Sequence, residues 1–151
     1  MSNEDLRELY RELILDHSRH PRHFGKLEGC THQAEGINPL CGDKLHLYLS
    51  IEGDTIEDIA FEGTGCAISV ASASLMTDAI LGLHVKDAEQ TFSVITHRLT
   101  QPDGDDSADI DEKFKALDGV RDFPARVKCA TLAWHALQAA LSGHNQPATT
   151  E

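Results

Sequence analysis

Basic residues are scarce in this chain. Lys and Arg number 13 against 25 Asp and Glu, a formal net charge of −12 over 151 residues. A broad grip on nucleic-acid phosphates needs a basic face. A polybasic membrane patch needs the same. Neither nucleic acid nor membrane is therefore expected as a partner. Long apolar runs are also missing, and none reaches the length that spans a bilayer. The opening stretch MSNEDLRELY is charged and amphipathic, without the apolar region of a signal peptide. The expectation is a cytoplasmic protein, whose thiols stay mostly reduced. Cysteines are few (Cys30, Cys41, Cys66 and Cys129) and form no C-x-x-C pair. In a reducing compartment they read as ligands, nucleophiles or core residues rather than disulfides. The chain also lacks G-x-S-x-G, a P-loop, and H-x-E with P-C-x-x-C. Those absences remove the common hydrolase, nucleotide-binding and zinc-deaminase readings.

What is present suffices for one domain with a real core. Residues 3–17 repeat apolar positions at helical spacing: Leu6, Leu9, Tyr10, Leu13 and Ile14. A Gly-, Pro- and His-rich stretch follows and reads as a long loop. Its HSRHPRH resembles a metal-binding cluster, but exposed histidines that bind nothing specific are the simpler reading. KLHLYLSIEG alternates Leu45, Leu47, Leu49 and Ile51 with polar residues, the signature of a strand with one wet face. TIEDIAFEG supplies a second strand close behind, so the pair should form an antiparallel hairpin. A third strand is expected in or just before AEGINPL.

Small and apolar residues dominate from Cys66 to about Leu83, predicting a buried helix with Leu75, Met76, Ile80 and Leu81 in the core. Residues 86–100 read as another helix. The stretch of about 101–119 is acidic, then weakly helical, and reads as a surface insertion. FPARVKCATLAWHALQAALSG combines strong helix formers with a Pro near its start and a Gly at its end. His135 on this helix reads as packed or solvated. The tail of about 144–151 should fray. The expected fold is a single α+β domain over residues 1–151, a small antiparallel sheet of about three strands with helices on one face.

Three cysteines fall at comparable places. Cys41 and Asp43 flank a glycine just ahead of a strand. Cys66 follows G-T-G at a helix N-terminus, and Cys129 lies in the first turns of the last helix. A helix N-terminus stabilises a thiolate, and Arg121, Arg126 and Lys128 place positive charge around Cys129. Zinc takes four ligands from Cys, His or Asp in a tetrahedron. Cys41, Asp43, Cys66 and Cys129 make a sensible set if the fold gathers them. Spacing alone leaves buried thiols as the competing reading. Cys30, in a polar loop, reads as an unligated thiol.

NPLCGD, FEGTGCAISVASASLM and PARVKCATLAW together resemble the three cysteine motifs of the SufU/IscU family of iron–sulfur cluster assembly proteins. LYRELILDHSRHPRHFG resembles the opening of SufU proteins. Scaffolds of the IscU type carry His immediately before the third cysteine, where this chain has Lys128. The acidic stretch fits the longer segment of the SufU branch. This resemblance implies an IscU/SufU-like fold and a zinc site formed by Cys41, Asp43, Cys66 and Cys129. It also implies transfer of persulfide sulfur to Cys41 from a SufS-type cysteine desulfurase, and delivery to downstream iron–sulfur assembly components. Arg126 and Lys128 would contact that partner or balance the site's charge. A scaffold holding a transient Fe–S cluster is the alternative within the family, because soft thiolates suit either metal. A purely structural zinc is the alternative of another class. An Asp ligand and the nearby glycines fit it less well, since closed structural sites use Cys and His.

Overall fold

The computed structural model describes residues 3–100, 112–143 and 148–149. Helix α1 spans Asn3–Arg19. Strands β1 (His32–Asn38), β2 (Asp43–Glu52) and β3 (Thr55–Thr64) follow, then α2 (Ala67–Ile80) and α3 (Val85–Thr100). A 3₁₀ helix covers Glu112–Asp122, α4 covers Pro124–Ser142, and a two-residue β4 covers Ala148–Thr149. The first eleven residues of the acidic stretch, 101–111, lie outside the described residues. Among those described, no helix is long and apolar enough to cross a membrane.

The three main strands are antiparallel, as the alternation of apolar residues predicts, and the sheet order is β3-β2-β1-β4. Leu45, Leu47 and Leu49 point inward and are buried, as are Ile59 and Phe61 of β3. The opposite face is polar. There His46 stacks on Tyr48, and the Tyr48 hydroxyl donates to Glu62 at 2.6 Å. That hydrogen bond, then burial, raises the phenol to about 12.

Both sheet margins depart from the simple expectation. Ala148 and Thr149, within a tail whose sequence predicts fraying, pair in parallel with Gly36 and Ile37 of β1. At the other margin, the loop after α1 exchanges backbone hydrogen bonds with Phe61 through Gly25 and His23. Unpaired strand edges thus acquire partners on either side.

The core lies between the sheet and α2 and α4. α2 is rich in Ala and Ser and α4 in Ala, which lets their backbones approach. Ser72 on α2 donates to the Ala130 carbonyl on α4 at 2.5 Å and accepts from Trp134 Nε1 at 3.2 Å. Trp134 is fully buried, and Phe114 of the 3₁₀ helix meets its ring edge-on, 5.4 Å between centroids. Burying an aromatic of this size is among the largest single contributions a core residue makes. Arg98 on α3 is 4% exposed, and its guanidinium makes two hydrogen bonds to Asp118, at 2.8 and 2.7 Å. The fork geometry ties the 3₁₀ helix to α3.

Two sequence expectations need correction at the N-terminal end. Leu9, assigned to the inward face of α1, is 48% exposed, while Ile14 is buried. His17, grouped with the loop histidines, lies inside α1 because the helix continues to Arg19, and it is buried. Its Nδ1 sits 2.7 Å from the Ser74 hydroxyl of α2. Ser74 also accepts the Arg22 backbone N–H at 2.8 Å. Burial, and then the nearby Arg22, hold the His17 imidazole below its ordinary range.

Candidate metal centre

The connection between β1 and β2 has four residues, Pro39 to Gly42. It begins at Asn38 and ends at Asp43, which are register partners across the two strands. The Gly42 N–H returns to the Asn38 carbonyl at 2.9 Å and closes the loop. Gly42 has φ of 73°, a left-handed conformation that costs glycine little and other residues more. Cys41 therefore stands exposed on a short closed loop, next to the exposed Leu40.

The pleat turns Asp43 inward, and it is 1% exposed. Its carboxylate is held from two sides. Oδ1 accepts the Cys66 backbone N–H at 3.0 Å, and Oδ2 accepts the Asn38 side-chain amide at 3.4 Å. Cys66 is the N-cap residue of α2, with extended backbone and no side-chain cap bond. Its donated N–H is one of the orphan donors every helix start must place. Gly65 makes this approach sterically open. A Cβ there would lie 2.7 Å from Asp43 Oδ1 and would also run into Ser69 Oγ.

Cys129 projects from α4 and is 2% exposed. The ligand atoms of Cys41, Asp43 and Cys129 all lie within 4.8 Å of one another. The structure thus gathers three of the four residues the sequence predicts. Cys66 stands just outside this triad. Its thiol interacts with Cys129, and its sulfur lies 3.9 Å from Ser69 Oγ. Burial, followed by contacts with Asp43, Cys41 and Cys66, pushes the Cys129 thiol well above the usual range. A cation among these groups reverses that sense, because ligating thiols are deprotonated by the metal they bind.

The donor set fits zinc. Bond lengths of about 2.0 to 2.3 Å in a tetrahedron put ligand atoms roughly 3.3 to 3.8 Å apart, so small side-chain rotations close the triad around an ion. Cys66, on the rim, is the available fourth donor. A further sign is Asn38, which is fully buried. Its amide nitrogen lies 3.5 Å from Cys129 Sγ as well as 3.4 Å from Asp43 Oδ2. Its Oδ1 has no hydrogen-bond partner among the described residues. An unpaired buried acceptor costs about 1–3 kcal/mol. A polar side chain held at that cost against two ligands is a feature that packing alone does not explain. Sequence reasoning missed Asn38. The signal was the period of two through Ala34, Gly36 and Asn38, which sends all three inward once β1 is placed.

The other candidates fall elsewhere. The Arg126 guanidinium lies 5.5 Å from the centroid of the exposed Phe123 ring and lines a cavity beside α1. Lys128 is half-buried on α4. Cys30 is half-buried and belongs to no ligand cluster among the described residues. His135 packs edge-on against Phe92, 5.7 Å between centroids.

Comparison with known proteins identifies the family. A zinc-dependent sulfurtransferase SufU of Bacillus subtilis (strain 168) is 43% identical over 136 residues, covering 90% of this chain and 91% of that one. An iron–sulfur cluster assembly scaffold protein IscU of Streptococcus pyogenes serotype M1 is 39% identical over 141 residues, covering 93% and 87%. A crystal structure from Fervidobacterium islandicum AW-1, described as an iron–sulfur cluster assembly scaffold protein for the SUF system, superposes with a TM-score of 0.74. It shares 34% identity and covers 86% of this chain and 94% of its own. The sequence model of the NifU-like N-terminal domain matches residues 9–150, a span that takes in all three cysteine motifs. The chain belongs to the NifU-like N-terminal domain family.

Proposed function

We propose that this chain serves iron–sulfur cluster assembly as a zinc-dependent sulfurtransferase, taking persulfide sulfur onto Cys41 from a SufS-type cysteine desulfurase. One observation carries the reading: of the three gathered ligand residues, Cys41 is exposed on a loop while Asp43 and Cys129 are buried on regular elements. One sulfur can leave the centre, and the rest of the centre stays folded without it. Zinc, when bound by Cys41, Asp43, Cys66 and Cys129, supplies positive charge that keeps the thiols deprotonated at neutral pH, with no redox chemistry of its own.

The chain's own residues then do the following. Cys41, on its exposed loop, would swing outward as a thiolate, while Asp43, Cys66 and Cys129 would be the residues left to hold the ion. The Cys41 sulfur attacks the outer sulfur of the desulfurase persulfide. A new S–S bond forms on Cys41, the partner's S–S bond breaks, and the partner cysteine departs as a thiolate. Asp43 and Cys129 hold their positions throughout. The exposed Leu40 beside Cys41 and the exposed Phe123 at the start of α4 offer apolar contact to such a partner. Downstream assembly components would receive the sulfur.

A scaffold role is the second reading, favoured by the relative of Streptococcus pyogenes named a scaffold IscU. Lys128, in the place where the resemblance puts His in scaffolds, favours transfer. The test is to mix the wild type and Cys41→Ala with a SufS-type desulfurase and cysteine, and follow alanine. Wild type should stimulate turnover and gain one sulfur on Cys41 after alkylation. Stimulation by Cys41→Ala, or sulfur mapping to Cys30 or Cys129, overturns the relay. Visible absorbance and iron in anaerobically purified protein would instead support the scaffold.

A further inference from the structure

Asn38 closes β1 with its backbone and reaches the centre with its side chain. Its carbonyl anchors the loop that carries Cys41, while its amide lies 3.4 Å from Asp43 Oδ2 and 3.5 Å from Cys129 Sγ. Both neighbours are acceptors when ionised, so the NH₂ end of the amide must face them. We propose that Asn38 is a positioning residue whose two N–H bonds fix Cys129 and Asp43 as permanent ligands, so that Cys41 alone exchanges.

The inference rests on the zinc reading and asks how one sulfur among several is chosen. A hydrogen bond to a ligating thiolate draws electron density from sulfur and restrains its direction, so the sulfur holds the metal and is a poorer nucleophile. Cys129 has this donor, is buried, and sits on a helix. Cys41 is exposed and sits on a loop of four residues. A carboxylate held by Asn38 on one oxygen and by the Cys66 N–H on the other presents its remaining lone pairs in a fixed direction.

Two measurements test it, and neither depends on sulfur transfer. In the wild type loaded with a spin-half cadmium isotope, a through-bond coupling should link the Asn38 side-chain amide to the metal across the Cys129 sulfur. In zinc-loaded Asn38→Ala, limiting iodoacetamide should label Cys129 several-fold more than in the wild type, where Cys41 is labelled first. Zinc affinity by chelator competition should fall about 10–100-fold in that variant. Absence of the coupling overturns the proposal. So does a folded Asn38→Ala that keeps wild-type labelling and affinity, whatever its melting temperature. Should that variant not fold, the cadmium coupling decides alone. A wild type that takes up neither metal sinks the zinc reading itself, which metal analysis distinguishes from the other results.

Discussion

Two polar clusters draw on α2 and α4, and they are finished differently. In the interior, Ser72 links the Ala130 carbonyl to the Trp134 indole, and Ser74 links His17 to the Arg22 backbone. Donors and acceptors balance there, so the network stands without help. At the loop end, Asp43 and Cys129 converge on Asn38 with the Cys41 sulfur close to both, and the Asn38 Oδ1 is left over. With the thiols ionised, acceptors there outnumber donors, an imbalance that a bound cation would offset. The contrast separates a cluster that completes itself from one whose donors suit the proposed metal site. Burial alone does not separate them, since Asp43 and Cys129 are as buried as Ser72 and Ser74, but the count of donors against acceptors does.

The largest break in this comparison comes from the interior. Trp134→Ala should cost about 3–5 kcal/mol of stability in denaturant unfolding. Zinc per folded molecule should stay unchanged, because the indole belongs to the balanced network. A proportionate loss of zinc would show that the two clusters are not independent.

Metal removal should act on the other cluster alone. With free zinc at about a thousand times its dissociation constant, binding adds about 4 kcal/mol, so chelation should lower the melting temperature by roughly 8–16 °C. In Asp43→Ala most of that difference should vanish, since the variant loses the carboxylate between Cys66 and Asn38. A wild type whose melting temperature ignores both zinc and chelator would place the loop-end cluster with the architecture.

A smaller effect distinguishes the balanced cluster by pH. His17 folds with its imidazole below the ordinary value of 6.5, through burial and Arg22, with Asp16 and Asp78 opposing and Lys113 assisting. Its contribution is fully present above that ordinary value. Below it the unfolded chain binds a proton that the folded chain resists, so stability falls as pH falls toward the lowered folded value. The slope from this one group is at most about 1.4 kcal/mol per pH unit. In chelated protein, His17→Gln should flatten the acid limb of stability against pH between about 6.5 and the folded value. An unchanged limb would remove His17 from the account.

The smallest effect on stability should come from the proposed sulfur acceptor. Cys41→Ala, measured without metal, should lie within about 0.5 kcal/mol of wild type, as expected for an exposed position away from caps and cavities.

Much of this contrast was readable in the sequence, and the exceptions follow a pattern. The alternation of Leu45, Leu47 and Leu49 set the sheet, and the G-T-G before Cys66 with the Pro at the start of α4 set the helix starts. Cys41, Asp43 and Cys129 were legible through their motifs. The residues that escaped depend on pairing between distant segments. Asn38 matters only through its register with Asp43. His17, last in the predicted helix and first in HSRHPRH, reads as an exposed histidine until α1 is known to run two residues further and pack it against Ser74. Ala148 and Thr149 have no pattern of their own and become a strand because β1 offers an edge. Leu9 kept its helical spacing while no neighbour covered it. Local periodicity cannot carry such information, because it lies in the partner.

The closed loop between Asn38 and Asp43 sets how far Cys41 can travel. An extended chain gains at most about 3.3–3.6 Å per residue, and Asp43, fixed in its strand, is two residues from Cys41. The tether therefore holds the Cys41 Cα within about 7 Å of the Asp43 Cα, to which its sulfur adds only the length of one short side chain. Sulfur offered in a recess deeper than that cannot be fetched by the loop alone. The blunt end of the domain, with Leu40 leading, would have to enter the recess. In the proposed relay, a partner with such a recess must therefore open to the width of a protein lobe rather than to the width of a side chain.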